Sequence, residues 1–288
     1  MEISFISDEY SANIDEALAF AVKNGLKYIE LRQIGDKNIT EFTREEAFAL
    51  SEKIASAGIL VSSIASPFLK WRLDEAEFNC LGQKQASEAD YFTALMDLAD
   101  IFGAPNIRIF SYLKQDGLSL EDLGQKLDVY SQMALDRGIS LLLENSNLCN
   151  IDSIAQMHKL FELYGFSNIF PLLDLGETVA TGDDYVPQEL QDLINKCLYF
   201  HIKDYDAELK RYVVVGEGNI DYESLLADKL NDTAVVFSLE GHTGYPEDLK
   251  MSLNIMQAGE EEYKKELRLV TEFFFLWFIC LPVILQNS

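Results

Sequence analysis

The sequence predicts a single α/β domain, a (β/α)₈ TIM barrel. Apolar runs typical of buried strands alternate along the chain with segments whose apolar residues recur every three or four positions, as on one face of a helix. Eight such runs occur, which is the number of strands that closes this barrel. The length of 288 residues is ordinary for one such domain. Strands separated by helices in this way predict a parallel sheet with right-handed crossovers.

The predicted strands are short, and several of the helices between them end at a glycine, the residue that favours the left-handed conformation at a helix C-terminus. The strands are Ile3–Ile6, Tyr28–Leu31, Leu60–Ile64, Ile107–Phe110, Ser140–Glu144, Phe170–Asp174, Leu198–Lys203 and Val235–Glu240. The helices are Ile14–Lys23, Thr43–Ala57, Cys80–Phe102, Ser119–Arg137, Ile154–Tyr164 and Pro187–Lys196. Ser119 followed by Asp122 predicts the start of one helix. Long loops are expected at Pro67–Asn79 and Tyr205–Asp221.

The C-terminal end of the chain differs from the rest. We expect the barrel to occupy residues 1–270 and residues 271–288 to form an apolar helix or tail. The stretch Phe273–Leu285 is wholly apolar, but Pro282 interrupts it and it is shorter than the roughly 20 residues that span a bilayer. We expect this tail to pack on the barrel or on a partner subunit, in a dimer or tetramer.

Composition excludes some classes of partner. The net charge is −25, with 48 acidic and 23 basic residues. A nucleic-acid backbone or an anionic membrane surface requires clustered Lys and Arg, so neither is an expected partner. The four cysteines are scattered and form no metal-binding or disulfide pattern. Because the N-terminus also lacks a signal-peptide pattern, we expect a cytoplasmic protein with reduced thiols.

Four of the predicted strands end at a side chain that can bind metal. These residues are Glu144, Asp174, His201 and Glu240, separated by intervals close to one βα repeat of roughly 30 residues. The C-terminal ends of the strands meet at one mouth of the barrel, where the active site lies. Three carboxylates and one imidazole suit a hard or borderline divalent cation. We expect one ion, with Mn²⁺ fitting best and Mg²⁺, Co²⁺ and Zn²⁺ behind it.

Six motifs, in order, resemble those of the xylose-isomerase-like barrels, a superfamily that includes sugar and sugar-phosphate isomerases and epimerases. The resemblance covers roughly residues 1–270. The motifs are Tyr28-Ile-Glu-Leu-Arg32, Leu143-Glu-Asn145, Leu173-Asp174-Leu-Gly, His201-Ile-Lys-Asp204, Gly216-Glu-Gly-Asn-Ile-Asp221 and Glu240-Gly-His242. This resemblance implies that Glu144, Asp174, His201 and Glu240 bind the metal. It also implies that the two glutamates move protons.

The chemistry that follows is removal of a proton next to a carbonyl. A divalent ion stabilises the resulting enediolate, and a nearby carboxylate takes the proton. Two carboxylates on opposite faces of the intermediate permit epimerisation, whereas return of the proton to the neighbouring carbon gives aldose–ketose isomerisation. We therefore expect a metal-dependent isomerase or epimerase of a small keto-sugar or sugar acid, with Glu144 and Glu240 as the catalytic pair.

Five further residues are candidates for substrate binding, each with a plain structural alternative. Lys203 shares the inward face with His201 but can also pair with an acid, and Glu30 can instead pair with Arg32 or Arg108. His242 can lie on a surface loop, and Trp71 can serve packing. The fifth is Glu177, which stands where related keto-sugar epimerases carry a histidine. Those enzymes also carry an arginine where this chain has Ala207, and both differences put their substrates in doubt.

Three other functions remain open at this point. An inosose-type dehydratase uses a similar ligand set and also begins by removing an α-proton. Hydroxypyruvate isomerase is a relative with a smaller substrate. A non-catalytic sugar-binding protein could have kept the fold with a repurposed metal site. The abasic-site endonucleases of the superfamily use a histidine-rich zinc cluster and a basic DNA face, which three histidines and a charge of −25 disfavour.

Overall fold

Eight parallel strands form a nearly closed barrel. The computed structural model describes residues 1–74, 77–230 and 232–258. The strands are β1 (Glu2–Phe5), β2 (Tyr28–Leu31), β3 (Leu60–Ile64), β4 (Asn106–Ile109), β5 (Ser140–Glu144), β6 (Ile169–Asp174), β7 (Tyr199–Ile202) and β8 (Val236–Leu239). Each strand pairs with the next from β2 to β8, and β8 pairs with β1. A parallel bridge between Ile6 and Glu30 brings β1 to β2. The predicted (β/α)₈ TIM barrel is therefore confirmed.

Helices surround the sheet and most begin at a side chain that caps the first turn. They are α1 (Ser7–Tyr10), α2 (Ile14–Lys23), α3 (Arg44–Ser56), α4 (Glu88–Phe102), α5 (Leu120–Leu135), α6 (Ile154–Leu163), α7 (Leu175–Thr181), α8 (Pro187–Lys196) and α9 (Tyr222–Leu226), with a 3₁₀ turn at Ile39–Glu41 and further helix over 246–258. Ser119 and Asp122 form the expected capping box at the start of α5.

The prediction of a helix over Cys80–Phe102 is wrong in its first part. Phe78–Cys80 pairs with Gln83–Gln85 in an antiparallel hairpin, and α4 begins only at Glu88. Leu81 and Gly82 make the turn with left-handed backbone conformations, at φ of 51° and 68°. Ser87 then caps the N-terminus of α4. The hairpin lies on the loop after β3, on the same side of the barrel as the strand ends.

A buried aspartate organises the long loop after β7. The Asp204 carboxylate accepts hydrogen bonds from the backbone N–H groups of Tyr205, Gly216, Gly218 and Ile220, at 2.9 to 3.2 Å. A Cβ on Gly218 would lie 2.3 Å from Asp204 Oδ1, so only glycine fits there. These contacts explain why the sequence pairs His201-Ile-Lys-Asp204 with a glycine-containing turn. They also hold the hairpin of Asp204–Asp206 and Arg211–Val213 over the mouth.

The interior of the barrel below the mouth is partly apolar and partly polar. Leu142, Leu172 and Tyr199 form a small apolar cluster inside β5, β6 and β7. The buried Tyr199 hydroxyl forms a hydrogen bond with the Ser62 hydroxyl, which forms another with the Ser4 hydroxyl. This network leads up to Glu30, which lies directly beneath the site described next.

The expectation for the apolar tail at 271–288 lies outside the described residues. Within the described ranges, no helix has both the length and the apolar character needed to cross a membrane. Cys80, Cys149 and Cys197 are buried free thiols.

Candidate metal centre and active site

The strand ends bring three of the four predicted metal ligands into direct contact. His201 Nδ1 lies 2.8 Å from Glu144 Oε1 and 3.0 Å from Glu240 Oε2. One ligand atom from each of these residues falls within 4.8 Å of the others, and all three side chains are buried. Side chains alternate along a strand, so the predicted inward faces of β5, β7 and β8 place them together.

The fourth predicted ligand, Asp174, meets a lysine instead. Lys203 Nζ lies 2.7 Å from Asp174 Oδ2 and 3.2 Å from Glu240 Oε2. Burial by itself would lower the pKa of Lys203, but the charges of Asp174 and Glu240 raise it well above its usual value. The ammonium therefore joins Asp174 to the other three residues. A Cβ on Gly176 would lie 2.4 Å from Lys203 Cγ, so the glycine after the strand leaves the space for this side chain.

These residues fit a divalent cation. Glu240 Oε2 is buried and makes no hydrogen bond within the described part of the chain, although charged groups surround it. Two carboxylate oxygens and one imidazole nitrogen face a common point, and Asp174 Oδ2 can join them across Lys203. Oxygen donors with a single imidazole suit Mn²⁺, Mg²⁺ or Zn²⁺. The donor set is that of a single divalent ion, and Glu240 Oε2, which the charged groups of His201 and Lys203 approach to 3.0 and 3.2 Å, is one of its candidate oxygens.

Glu30 orients the imidazole from below. His201 Nε2 lies 3.2 Å from Glu30 Oε2, which also accepts hydrogen bonds from Ser238 Oγ at 2.6 Å and the Tyr199 hydroxyl at 2.9 Å. With Nε2 donating to Glu30, Nδ1 is the ring nitrogen that faces the two glutamates and would be available to an ion, as ligating histidines are commonly held. The structure therefore places Glu30 in the barrel interior, fully buried, and not at the open mouth.

Burial by itself would lower the pKa of His201. The three carboxylates around it, from Glu30, Glu240 and Glu144, reverse that effect and raise the pKa well above its usual value. Without a metal ion the ring is therefore protonated and bridges the carboxylates. His201 would have to lose that proton before Nδ1 could bind a metal ion.

Each glutamate shares its two oxygens between His201 and an arginine. Glu144 Oε2 lies 3.4 Å from Arg108 Nη1, and Glu240 Oε1 lies 2.8 Å from Arg32 Nη1. Burial raises the pKa of Glu144, but Arg108 and His201 lower it overall, and Lys203 and His201 do the same for Glu240. Both glutamates are thus held ionised. Sequence reasoning did not assign these arginines to the site, although Arg108 lies on a strand and Arg32 directly follows one.

Three of the other predicted residues line the outer wall. The Tyr212 hydroxyl donates to Glu177 Oε2 at 3.1 Å, and its ring lies 5.5 Å from Lys203 Nζ. His242 packs edge-on against Tyr212, with Nε2 3.4 Å from Glu240 Oε1. Tyr212 comes from the loop that Asp204 organises and was not among the predicted residues. Glu177, Lys203 and His242 are therefore grouped around the metal ligands.

Trp71 lies apart from this group. Its ring packs against Phe68 and Phe78, and Nε1 donates to Glu88 Oε2 at 2.9 Å. Glu88 also accepts hydrogen bonds from the Tyr112 and Tyr130 hydroxyls, so the third loop is anchored to α4 and α5. Contact between Trp71 and a substrate stays a prediction.

Comparison with solved structures gives the same fold at low sequence identity. The probable 3-DHS dehydratase AsbF from Bacillus anthracis is 18% identical, with a TM-score of 0.70 over 89% of this chain and 99% of that one. The IOLI protein with a bound zinc atom is 18% identical, with a TM-score of 0.65 over 92% and 97%. The 3-keto-D-glucoside 4-epimerase YcjR from E. coli is 16% identical, with a TM-score of 0.65 over 90% and 99%. At these identities the likeness establishes the fold alone.

Sequence comparison identifies the family. No curated protein matches this chain. The family model described as xylose isomerase-like TIM barrel matches residues 18–272, which include the four predicted ligands Glu144, Asp174, His201 and Glu240. The chain therefore belongs to the xylose isomerase-like TIM barrel family.

Proposed function

We propose that the protein is a divalent-metal-dependent isomerase or epimerase of a small keto-sugar or sugar acid, which removes a proton next to a carbonyl. The observation that carries this proposal is the pair of buried, ionised glutamates on either side of His201 Nδ1. Epimerisation needs one group to take the proton and a second to return it on the opposite face, and isomerisation needs at least one group that can do both. Two such groups at one centre meet that need.

The contacts of each residue suggest its role in this reaction. When bound, a divalent ion stabilises the negative charge that develops on the substrate oxygens. Glu144 and Glu240 would hold the ion and carry the proton. Arg108 helps to keep Glu144 ionised, Lys203 and His201 do the same for Glu240, and Arg32 fixes the position of Glu240. His201 and Asp174 would hold the ion as well, with Glu30 orienting the imidazole. Lys203 and Glu177 contact substrate oxygens from the outer wall, together with His242.

The donor set favours Mn²⁺, with Mg²⁺, Co²⁺ and Zn²⁺ as alternatives. One structural neighbour is described with a bound zinc atom, which supports the proposal that a metal binds in this fold. We further propose a cytoplasmic homo-oligomer, on the basis of the buried free thiols and the apolar sequence at 273–285.

A dehydratase is the second candidate, because one structural neighbour is described as a probable dehydratase and the first proton transfer is the same. The His242 ring, beside Glu240 and partly open to solvent, is placed to protonate a departing hydroxyl. Loss of water from an inosose would produce new ultraviolet absorbance from the conjugated product, whereas epimerisation would not.

The test is exchange of solvent deuterium into candidate substrates. The protein is incubated with Mn²⁺ in D₂O and with keto-sugars, their phosphates, hydroxypyruvate and inosose, and incorporation is followed by mass spectrometry and NMR. We expect exchange into one substrate class, and loss of that exchange in Glu144→Gln and Glu240→Gln. Glu162→Gln is the matched control, because this glutamate is 68% exposed on α6.

Three outcomes separate the possibilities. Exchange without new absorbance supports the isomerase or epimerase, and exchange with new absorbance supports the dehydratase. No exchange into any compound, from a protein that has bound Mn²⁺, contradicts both and favours a sugar-binding protein.

A further inference from the structure

A second group of metal-type ligands lies next to the first and shares Glu240 with it. Ligand atoms of Glu9, Glu240 and His242 fall within 4.8 Å of one another. His242 Nδ1 lies 3.1 Å from Glu9 Oε1, and Nε2 lies 3.4 Å from Glu240 Oε1. By donor type alone, this group could hold a second cation beside the first, bridged by the Glu240 carboxylate. Adjacent two-metal sites of this kind place their ions about 3.5–4 Å apart.

The backbone of His242 is arranged to hold this position. Its φ of 53° lies in the left-handed region, which a side chain with a Cβ rarely adopts. Its N–H donates to Glu9 Oε2 at 2.9 Å, so backbone and ring both bind the same carboxylate. Strained backbone that surrounding contacts hold in place is concentrated at functional sites.

A guanidinium already occupies the position that a second ion would take. Arg32 Nη1 lies 2.8 Å from Glu240 Oε1, and Nη2 lies 2.5 Å from Glu9 Oε1. Nε and Nη2 both donate to Asp8 Oδ2, at 3.0 and 2.7 Å. Arg32 thus bridges three carboxylates from α1 and the end of β8. A guanidinium stays charged at any pH at which the protein folds, so its positive charge is permanent.

Arg32 opposes binding of a second ion both by its charge and by the space that it fills. A divalent ion at this place would need the same oxygens that Arg32 contacts, and would meet a full positive charge at contact distance. Because Glu240 Oε1 is bound to Arg32, only Oε2 of this carboxylate faces the position of the first ion.

We propose that Arg32 is a built-in cation that stands in for a second metal ion and limits the centre to one ion. A neutral residue at position 32 would then convert Glu9, Glu240 and His242 into a second metal site. This inference rests on the proposed metal centre, since it concerns how many ions that centre holds.

The test is metal stoichiometry, measured without reference to activity. Each protein is stripped with a chelator, equilibrated with Mn²⁺, desalted and analysed for manganese per chain by elemental mass spectrometry. We expect one ion in the wild type, two in Arg32→Met and one in Arg32→Lys, which keeps the charge. The double variant R32M/H242A should return to one, because it loses a ligand of the new site.

A matched control removes an arginine that also joins two acids. Arg137 Nη1 contacts Asp97 and Asp100 before β5 begins, at the opposite end of the barrel. Arg137→Met should bind one ion, as the wild type does. In Arg32→Met, the electron paramagnetic resonance spectrum should show the broad signal of two coupled Mn²⁺ ions.

Folding of each variant is checked by circular dichroism, and Arg32→Gln serves in place of Arg32→Met if the latter fails to fold. Two ions in the wild type, or a single ion in a folded neutral variant at position 32, would overturn the inference while leaving the proposed function intact. A wild type that binds no Mn²⁺, Mg²⁺, Co²⁺ or Zn²⁺ would overturn both.

Discussion

Replacing Lys203 by methionine tests how strongly the site depends on its buried ammonium. Lys203 and Asp174 approach to 2.7 Å with side chains that are 3% and 4% exposed. Methionine has a similar length but leaves the Asp174 carboxylate buried without its cation and removes one of the cations that surround Glu240. Removing one partner of a buried ion pair costs about 3–5 kcal/mol, because the remaining charge is uncompensated. We expect the metal-free variant to lose that amount of unfolding free energy.

The chain contains a matched control. Lys53 and Asp15 approach to 2.8 Å, almost the same distance, but their side chains are 47% and 66% exposed. Solvent screens that pair, so Lys53→Met should cost about 0–1 kcal/mol. The comparison isolates burial from distance.

The assay is urea unfolding in EDTA and again in Mn²⁺, followed by circular dichroism. We expect the Lys203→Met midpoint to fall by about 1 M or more in EDTA. The divalent ion supplies positive charge to the same carboxylates, so the deficit should shrink in Mn²⁺, and by linkage the variant should bind Mn²⁺ more tightly than the wild type. Equal losses in the two lysine variants, or a deficit that Mn²⁺ does not reduce, would refute this reasoning.

Three further predictions concern acid stability, thiol reactivity and the loop after β7. Burial raises the pKa of Glu9, but its hydrogen bond to His242 and the charge of Arg32 bring it from 4.5 down to about 2. The ionised Glu9 therefore contributes about 3 kcal/mol to the free energy of unfolding above pH 4.5, and this contribution is lost as the pH falls towards 2. We expect Glu9→Gln to lose less stability than the wild type between pH 5 and pH 3, as measured by urea titration at each pH. Burial raises the pKa of Cys80 to about 12, so iodoacetamide should not label it at pH 8 until urea unfolds the protein, and labelling of the native protein would contradict its burial. Asp204→Ala should speed amide hydrogen exchange at Gly216 and Gly218 by about 10- to 100-fold, since hydrogen bonds to a charged acceptor are worth about 1.5–3 kcal/mol each. Unchanged exchange would mean that the loop is held by other contacts.

Much of the architecture was predictable because its signals are local. A buried strand is an apolar run, and a polar residue at its C-terminal end stands out within a few positions. Glu144, Asp174, His201 and Glu240 are predicted as metal ligands in this way, and closure of eight strands places all four at the same mouth of the barrel. The capping pair at Ser119 and Asp122 is likewise read from neighbouring positions, and the structure contains it.

The error in the predicted start of α4 also has a local cause. The segment from Phe78 to Gln85 has apolar residues at spacings that suit either a helix or a hairpin. Periodicity cannot separate the two in so short a stretch. The turn at Leu81 and Gly82, together with the cap at Ser87, decides the outcome.

What the sequence by itself determined is the barrel, its repeat and the residue types at its mouth. What only the tertiary structure decided is which of those residues meet. Arg32 contacts Glu240 across 208 positions of the chain, and Glu30 contacts His201 across 171. No local pattern encodes such a pair, because it depends on the closure of β1 and β2 against β7 and β8. Closure of the barrel places Glu30 beneath the His201 imidazole and brings Lys203 to Asp174. It also places the Arg32 guanidinium among the carboxylates of Asp8, Glu9 and Glu240. These charges stabilise one another because they are held close together and away from water.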